Sequence, residues 1–136
     1  MSTPGTFKYI PWKDVEREKL NPLIDREMVV GDQVMLARVL MKKGAHVPLH
    51  QHHNEQVACL LTGKLKFLLH HLDSDAPTET ILNPDEVLVI PPNIPHEVFA
   101  LEDTVNLDIF SPPREDWITG DDAYLRSEER RVGKEC

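Results

Sequence analysis

Proline recurs along most of this chain and leaves only short apolar runs between its occurrences. The eleven prolines extend from Pro4 to Pro113. The apolar stretches between them have the length of strands and are too short for amphipathic helices. This pattern predicts an all-β fold, with helix expected only within residues 12–20.

Three turn signals each separate a pair of apolar runs, and each pair predicts an antiparallel hairpin. The turns are Gly31-Asp32, Thr62-Gly63 and Glu102-Asp103, between strands at residues 24–30 and 33–41, 55–61 and 64–71, and 97–101 and 104–110. Further strands are predicted at residues 80–82 and 87–90. Eight or more closely spaced strands favour a double-sheet jelly-roll barrel, in which closure removes exposed sheet edges.

Length and charge limit the organisation of the chain and its ligands. A chain of 136 residues fits a single domain, which we place at residues 1–125. The formal net charge of -8 is a poor match for nucleic acid or an anionic membrane, so a small molecule is the expected ligand. The first residues lack a signal-peptide pattern, and we expect a cytoplasmic protein.

The last eleven residues, RSEERRVGKEC, resemble the reading-frame translation of a sequencing adapter. We therefore expect residues 126–136 to be an artefact tail outside the domain. The tail holds four basic and three acidic residues, so the chain is acidic with or without it.

The stretch GAHVPLHQHHNEQVACLLTG, residues 44–63, concentrates imidazoles beside an apolar run. His50 and His52 are two residues apart, so both project from the same face of an extended chain, and Gln56 has the same parity. His96 follows the stiff segment IPPNIP and could supply a third imidazole from a neighbouring strand. The pattern predicts a metal site formed by His50, His52, Gln56 and His96; the alternative is a polar strand edge. The histidines expected outside the site are His46, His53, His70 and His71.

The strand predicted at residues 104–110 carries a second unusual set of side chains. Asn106, Asp108 and Phe110 share one face of this strand, and the set is odd for a face in solvent. If this face lines the mouth of the barrel, Asp108 lies with the metal site, Phe110 forms a wall, and the preceding proline pair fixes Arg114 nearby. The alternative is a surface ion pair between Asp108 and Arg114, which contributes little to stability.

Several of these segments resemble the two motifs of the cupin superfamily. GAHVPLHQHHNEQ followed by TGKLKF resembles the first motif, and DEVLVIPPNIPH resembles the second. Gln56 stands where most cupins carry glutamate, and Asp85 and Asn93 stand where the second motif usually has glycine. The resemblance covers about residues 31–117 and implies a cupin double-stranded β-helix, a form of jelly-roll barrel.

The ending DIFSPPREDW, together with HHNEQ, is similar specifically to the KdgF-type cupins of pectin degradation. KdgF-type cupins convert the 4,5-unsaturated uronate monosaccharides released by pectin and alginate lyases into linear keto sugars. The resemblance therefore implies the same metal-dependent activity here. It assigns active-site roles to Asp108, Phe110 and Arg114.

A neutral donor set affects what the metal can do. Three imidazoles and the Gln56 amide leave the charge of a divalent ion uncompensated, which favours polarisation of a substrate oxygen over oxygen activation. Mixed nitrogen and oxygen donors do not select one transition metal, so Zn, Ni, Mn, Fe and Cu all remain open.

Two other classes of function also remain open from the sequence. Three histidines can hold copper or iron, in which case the chain would be an oxidative enzyme acting on saccharides. The second alternative is a non-catalytic sugar-binding cupin. The expected partners are a small anionic sugar and a second copy of the chain, paired through edge strands into a homodimer.

Overall fold

The computed structural model describes residues 5–126 and consists mainly of antiparallel strands. Within that range the strands are β1 (Glu18–Asn21), β2 (Ile24–Val30), β3 (Met35–Met41), β4 (His46–His50), β5 (Glu55–Thr62), β6 (Leu65–His70), β7 (Pro77–Leu82), β8 (Val87–Ile90), β9 (His96–Ala100) and β10 (Thr104–Ser111). Short helical segments occur at Trp12–Asp14, at Glu115–Thr119 (α1) and at residues 123–126. No helix in residues 5–126 is long and apolar enough to cross a membrane.

Two antiparallel sheets enclose the core, which confirms the predicted all-β jelly roll. One sheet has six strands in the order β1-β2-β3-β10-β5-β8, and the other has four in the order β4-β9-β6-β7. Burial alternates residue by residue along β3 and β10, as expected for strands with one face towards the core. The inward side chains include Met35, Ala37, Leu60, Phe67, Ile90 and Phe110.

The first predicted hairpin is confirmed, and the other two are wrong. β2 pairs with β3 in register from Ile24 opposite Met41 to Val30 opposite Met35. In contrast, β5 pairs with β10 and β8, whereas β6 pairs with β9 and β7, so the chain changes sheet at Thr62-Gly63. It changes sheet again between β9 and β10. A tight turn can join strands of opposite layers in a sandwich, and turn chemistry alone does not distinguish the two cases.

The helix predicted within residues 12–20 is also wrong. Only Trp12–Asp14 is helical, and Val15 already has extended dihedral angles. The chain then forms β1, which pairs with β2 through Glu18 opposite Arg26. Pairing with an existing strand outweighs a weak local helix preference here.

The predicted artefact tail begins at the limit of the described residues. Residues 127–136 lie outside them, whereas Arg126 lies inside. The Arg126 guanidinium donates to Asp122 Oδ1 at 2.8 Å and lies 3.6 Å from a Glu18 carboxylate oxygen. Residue 126 therefore contacts the domain.

Candidate metal centre

Three histidine side chains converge where β4 meets β9. His50 in β4 and His96 in β9 are cross-strand partners, and His52 follows β4 directly. One ring nitrogen from each of the three lies within 4.8 Å of the others. The structure thus brings together the three imidazoles that the sequence spacing predicted, and this group could hold a metal ion.

Backbone carbonyls fix the proton position on all three rings. Each Nδ1 lies at hydrogen-bond distance from a carbonyl oxygen two residues away, and because a carbonyl only accepts, Nδ1 carries the proton and donates. The accepting carbonyls belong to Pro48, Asn54 and Ile94, at 2.8, 3.0 and 2.8 Å. Each Nε2 keeps its lone pair, as a metal ligand requires. His96 Nε2 is buried and has no hydrogen-bond partner within the described range.

Burial keeps these imidazoles neutral. It lowers the pKa of His50 to about 3, with a further contribution from the neighbouring His96. Burial, followed by the charge of Arg114, lowers the pKa of His52 to about 4. Burial also lowers the pKa of His96. At neutral pH the three lone pairs are therefore available to a metal.

Gln56, in β5, directs its side-chain oxygen towards the histidines. Its Nε2 donates to Asp108 Oδ1 at 2.9 Å, which orients the amide so that Oε1 lies 3.2 Å from His52 Nε2. Since Nδ1 of His52 carries the ring proton, two lone-pair atoms face each other across this gap. A cation stabilises such an arrangement, so the residues present fit a metal ion.

Asp108 lies beside this donor set on β10. Its Oδ1 accepts hydrogen bonds from Gln56 and Asn106, both at 2.9 Å. Its Oδ2 accepts none within residues 5–126. Burial raises the pKa of Asp108 to about 6 in spite of both donors. A carboxyl group with this pKa and one open oxygen can accept and release a proton near neutral pH.

Arg114, at the N-terminus of α1, is buried and tightly held. Asp116 accepts from its Nε at 2.9 Å and from its Nη2 at 2.7 Å, and the Tyr124 hydroxyl accepts from Nη2 at 2.7 Å. The guanidinium carbon lies 4.5 Å from the Trp117 ring centroid. The alternative of a surface Asp108–Arg114 ion pair is wrong, because both side chains are buried and Arg114 pairs with Asp116.

All the predicted site residues except His52 line one small cavity. Its volume is about 50 Å³, and its lining includes His50, Gln56, His96, Asp108, Phe110 and Arg114. Phe110 forms a wall, edge to face with His52 at 5.6 Å between ring centroids. His50 and His52 are only half-buried, so the donor set also faces solvent. A larger cavity of about 300 Å³, which includes Leu23 and Asp103, contains no residue of this site.

Sequence reasoning missed two further residues of the site, Asn54 and Tyr124, and assigned no role to a third, Asn106. The side-chain nitrogen of Asn54 donates to the Pro112 carbonyl at 2.6 Å. This bond connects the loop that follows His52 to the segment before Arg114. Tyr124 stacks on His50 with ring centroids 5.0 Å apart. Asn106 donates to Asp108 and lies on the same face of β10, so strand alternation could have identified it. Asn54 lies within the first cupin motif. No sequence pattern near Tyr124 indicated that it would reach the site.

Both departures from the second cupin motif keep the backbone that glycine favours. Asp85 has φ 68° and Asn93 has φ 64°. Among residues with a side chain, Asp and Asn are the ones that most readily adopt this left-handed conformation. The backbone N–H of Asn93 also donates to the His52 carbonyl at 2.8 Å, which links the two cupin motifs across the site.

Comparison with known proteins agrees with the observed fold. Residues 37–111 match the model of the cupin domain, and the chain belongs to the cupin family. The solved structure of KdgF from Halomonas sp. is 25% identical with a TM-score of 0.73, covering 82% of this chain and 99% of that chain. The sequence resemblance to a small KdgF-like cupin is therefore confirmed.

Other similar structures share the fold. An RmlC-like cupin from Shewanella frigidimarina is 22% identical with a TM-score of 0.72, covering 82% of this chain and 96% of that chain. An oxalate decarboxylase from Bacillus subtilis is 16% identical with a TM-score of 0.71, covering 79% of this chain and 30% of that chain. No curated protein matches the chain.

Proposed function

We propose that this protein is a metal-dependent enzyme that converts 4,5-unsaturated uronate monosaccharides into linear keto sugars by ring opening and tautomerisation. The proposal depends on one observation: Gln56 contacts both the histidine group, through His52, and the buried carboxyl group of Asp108. This contact joins a metal-ligand set to a proton carrier. Similarity to KdgF from Halomonas sp. supports the same assignment.

The donors for the metal would be Nε2 of His50, His52 and His96 and Oε1 of Gln56. When bound, a divalent transition metal supplies Lewis-acid polarisation of substrate oxygen atoms. None of the four donors is charged, so the ion would keep its full charge for this purpose. Zn, Ni, Mn, Fe and Cu all suit these donors.

Asp108 would move the proton. Above its pKa of about 6 the carboxylate Oδ2 accepts the proton of the anomeric hydroxyl while the bond from the anomeric carbon to the ring oxygen breaks. The ring opens to an aldehyde and an enolate. Protonated Asp108 then delivers that proton to C4, and the enolate becomes a ketone. One proton passes from oxygen to carbon, so the reaction requires no oxidant or reductant.

Arg114 would orient the anionic substrate. Its Nε and Nη2 are held by Asp116 and Tyr124, whereas Nη1 has no hydrogen bond within the described residues. An incoming carboxylate would accept from Nη1, the arm of the guanidinium that Asp116 does not use. The cavity of about 50 Å³ holds only a few water molecules, so the sugar would lie on the half-exposed side of His50 and His52.

The test is turnover of the unsaturated uronate by metal-reconstituted protein without oxygen, followed by loss of its conjugated ultraviolet band. We expect decay well above that in buffer, and none with His96→Ala or Asp108→Asn. Asp25→Asn, on the outer face of β2, is the matched control and should retain activity. Decay no faster than in buffer would refute the proposal.

The same experiment separates the two alternatives. Turnover that requires oxygen and a reductant would indicate an oxidative enzyme. Saturable binding of the uronate without decay, unchanged in Asp108→Ala, would indicate a sugar-binding cupin.

A further inference from the structure

Asn54 is a buried polar residue in the loop between β4 and β5. It is 2% exposed and lies two residues from His52 and two from Gln56, between two of the candidate ligands. Burial of a side-chain amide lowers stability unless the amide forms hydrogen bonds. The proposed mechanism gives Asn54 no part, so the partners of its side chain and backbone indicate its role.

The Asn54 side chain extends the link between β5 and β10 past the point where proline ends the backbone ladder. The last pair of that ladder is Glu55 opposite Ser111. Pro112 follows, and it has no N–H to continue the ladder. There the Asn54 Nδ2 donates to the carbonyls of Pro112 and Pro113, at 2.6 and 3.2 Å. One side-chain amide therefore holds the two peptide groups that lead into α1.

The backbone carbonyl of Asn54 contacts a candidate metal ligand. It accepts the Nδ1 hydrogen of His52 at 3.0 Å, which leaves Nε2 of that ring for a metal. A carbonyl fixes the orientation of a ring only if its own residue is fixed. The two hydrogen bonds of the side chain fix Asn54, so the orientation of the His52 ring depends on them.

The peptide groups that Asn54 holds lie directly before Arg114. The hydrogen-bond partners of the Arg114 side chain, Asp116 and Tyr124, both follow it in the sequence. Asn54 provides hydrogen bonds from the barrel to the chain on the other side of Arg114. These bonds connect the segment that carries Arg114 to the loop that carries His52.

We propose that Asn54 is a positioning residue that holds the metal ligand His52 and the substrate-binding Arg114 in one fixed arrangement. This inference rests on the proposed function, which assigns His52 to the metal and Arg114 to the uronate carboxylate. Asn54 is not one of the four metal donors and acts through these two residues. Loss of its side chain therefore weakens metal binding and uronate binding together.

The side-chain chemistry of asparagine suits this position. Its amide nitrogen carries two hydrogens on a short side chain, so one atom can donate to two neighbouring carbonyls. A serine hydroxyl carries one hydrogen, and an ionised aspartate carries none. Alanine leaves both proline carbonyls without this donor.

Competition with a chelator for Zn²⁺ measures the metal end of the arrangement without turnover. Asn54→Ala should weaken Zn²⁺ binding by roughly 10- to 100-fold, as is typical when a residue that orients a ligand is lost. The matched control is Asn21→Ala on β1. Asn21 is 4% exposed and its Nδ2 donates to the Leu125 carbonyl at 3.0 Å, so the control removes a similar buried bond and should leave Zn²⁺ affinity unchanged.

Calorimetric titration of the Zn²⁺-saturated chain with galacturonate measures the Arg114 end. This saturated uronate has no C4–C5 double bond, so it binds without undergoing the reaction. Asn54→Ala should weaken its binding by about 10-fold or more, because the site is no longer preorganised. Asn54→Ser is a second variant with a smaller void. Its hydroxyl satisfies at most one carbonyl, so both affinities should again fall. Circular dichroism verifies that each variant is folded.

The outcomes separate this proposal from the proposed function. Unchanged Zn²⁺ affinity in both Asn54 variants, or an equal loss in Asn21→Ala, would overturn the proposal. A loss of Zn²⁺ affinity with undiminished galacturonate affinity would overturn it too, since the two ends would then be independent. A wild-type chain that binds no galacturonate would overturn both. If the wild type binds both ligands through Asn54 but does not convert the unsaturated uronate, only the proposed function is refuted.

Discussion

Gln56 donates a hydrogen bond of 2.9 Å from its side-chain nitrogen to Asp108 Oδ1. One neutral amide therefore joins the candidate ligand set to the candidate proton carrier. Because Gln56 and Asn106 both donate to the same carboxylate oxygen, the other oxygen is left for a proton. Burial and directed donors act in opposite senses on this carboxyl group, and burial has the larger effect on its pKa.

Asp108→Asn is expected to stabilise the metal-free protein while removing the proposed activity. The pKa of Asp108 is about 6 in the folded chain against an ordinary 3.8, so the folded state holds the proton more tightly than the unfolded state. Burial of Asp108 therefore lowers the free energy of unfolding by up to about 3 kcal/mol above pH 6. This destabilisation becomes smaller as the pH falls towards 4. Asparagine keeps the acceptor that Gln56 uses.

Urea unfolding of metal-free wild type and Asp108→Asn at pH 8 and pH 5 measures this effect. The variant should be the more stable at pH 8, and the difference should shrink at pH 5. A variant that is less stable at pH 8 would contradict the expectation.

The metal-free protein should lose stability as pH falls below about 6.5. The pKa values of His50 and His52 are about 3 and 4 in the folded chain against 6.5, so between these limits the unfolded state binds more protons. Each such histidine contributes a slope of up to about 1.4 kcal/mol per pH unit. Unfolding free energies at pH 7, 6 and 5 give the slope. His52→Gln should flatten it, whereas His53→Gln, at the exposed neighbouring position, should not.

The sequence predicted best what depends on local periodicity. An extended chain is enough to bring His50 and His52 to the same face. The hairpin turn at Gly31-Asp32 depends only on the two strands that it joins. Both features appear in the structure. The placement of His96 required a distant strand, and the motif resemblance supplied it.

Features that depend on the arrangement of the two sheets were not accessible from the sequence. Thr62-Gly63 has the chemistry of a hairpin turn, but which layer receives the next strand depends on packing across the core. Likewise, Tyr124 reaches His50 only because the chain returns to the site after α1. The sequence also did not identify the ion-pair partner of Arg114, which is Asp116, two residues further along the chain.

Tyr124→Phe is expected to lower both stability and substrate affinity. The Tyr124 hydroxyl accepts from Arg114 Nη2 at 2.7 Å and from Trp117 Nε1 at 2.8 Å, and its loss leaves two buried donors without this acceptor. The expected cost is about 1–3 kcal/mol. Because Arg114 loses one of its anchors, KM for the uronate should rise more than kcat falls. Tyr9→Phe, at a 90% exposed position, is the control and should change neither quantity.

Asn93 should tolerate glycine and reject a β-branched side chain. Its φ of 64° costs glycine nothing, whereas a residue such as valine pays about 1–2 kcal/mol in this conformation. Asn93→Gly is therefore expected to unfold within a few degrees of wild type, and Asn93→Val at a clearly lower temperature. Equal melting temperatures for the two variants would show that the left-handed backbone is not required at this position.

Alanine substitutions at Gly63 and Gly44 separate the effect of a steric clash from the effect of a positive φ angle. Both have positive φ, +97° and +92°, but a Cβ at Gly63 would overlap Thr104 Oγ1, whereas a Cβ at Gly44 has no atom of the described residues within 4 Å. Gly44→Ala should cost about 1–2 kcal/mol from backbone conformation alone. Gly63→Ala should cost at least about 2 kcal/mol more, because Thr104 is buried and its hydroxyl accepts from the Lys64 amide. Urea unfolding of both variants gives the difference, and equal losses would mean that Thr104 moves away at little cost where the chain passes from one sheet to the other.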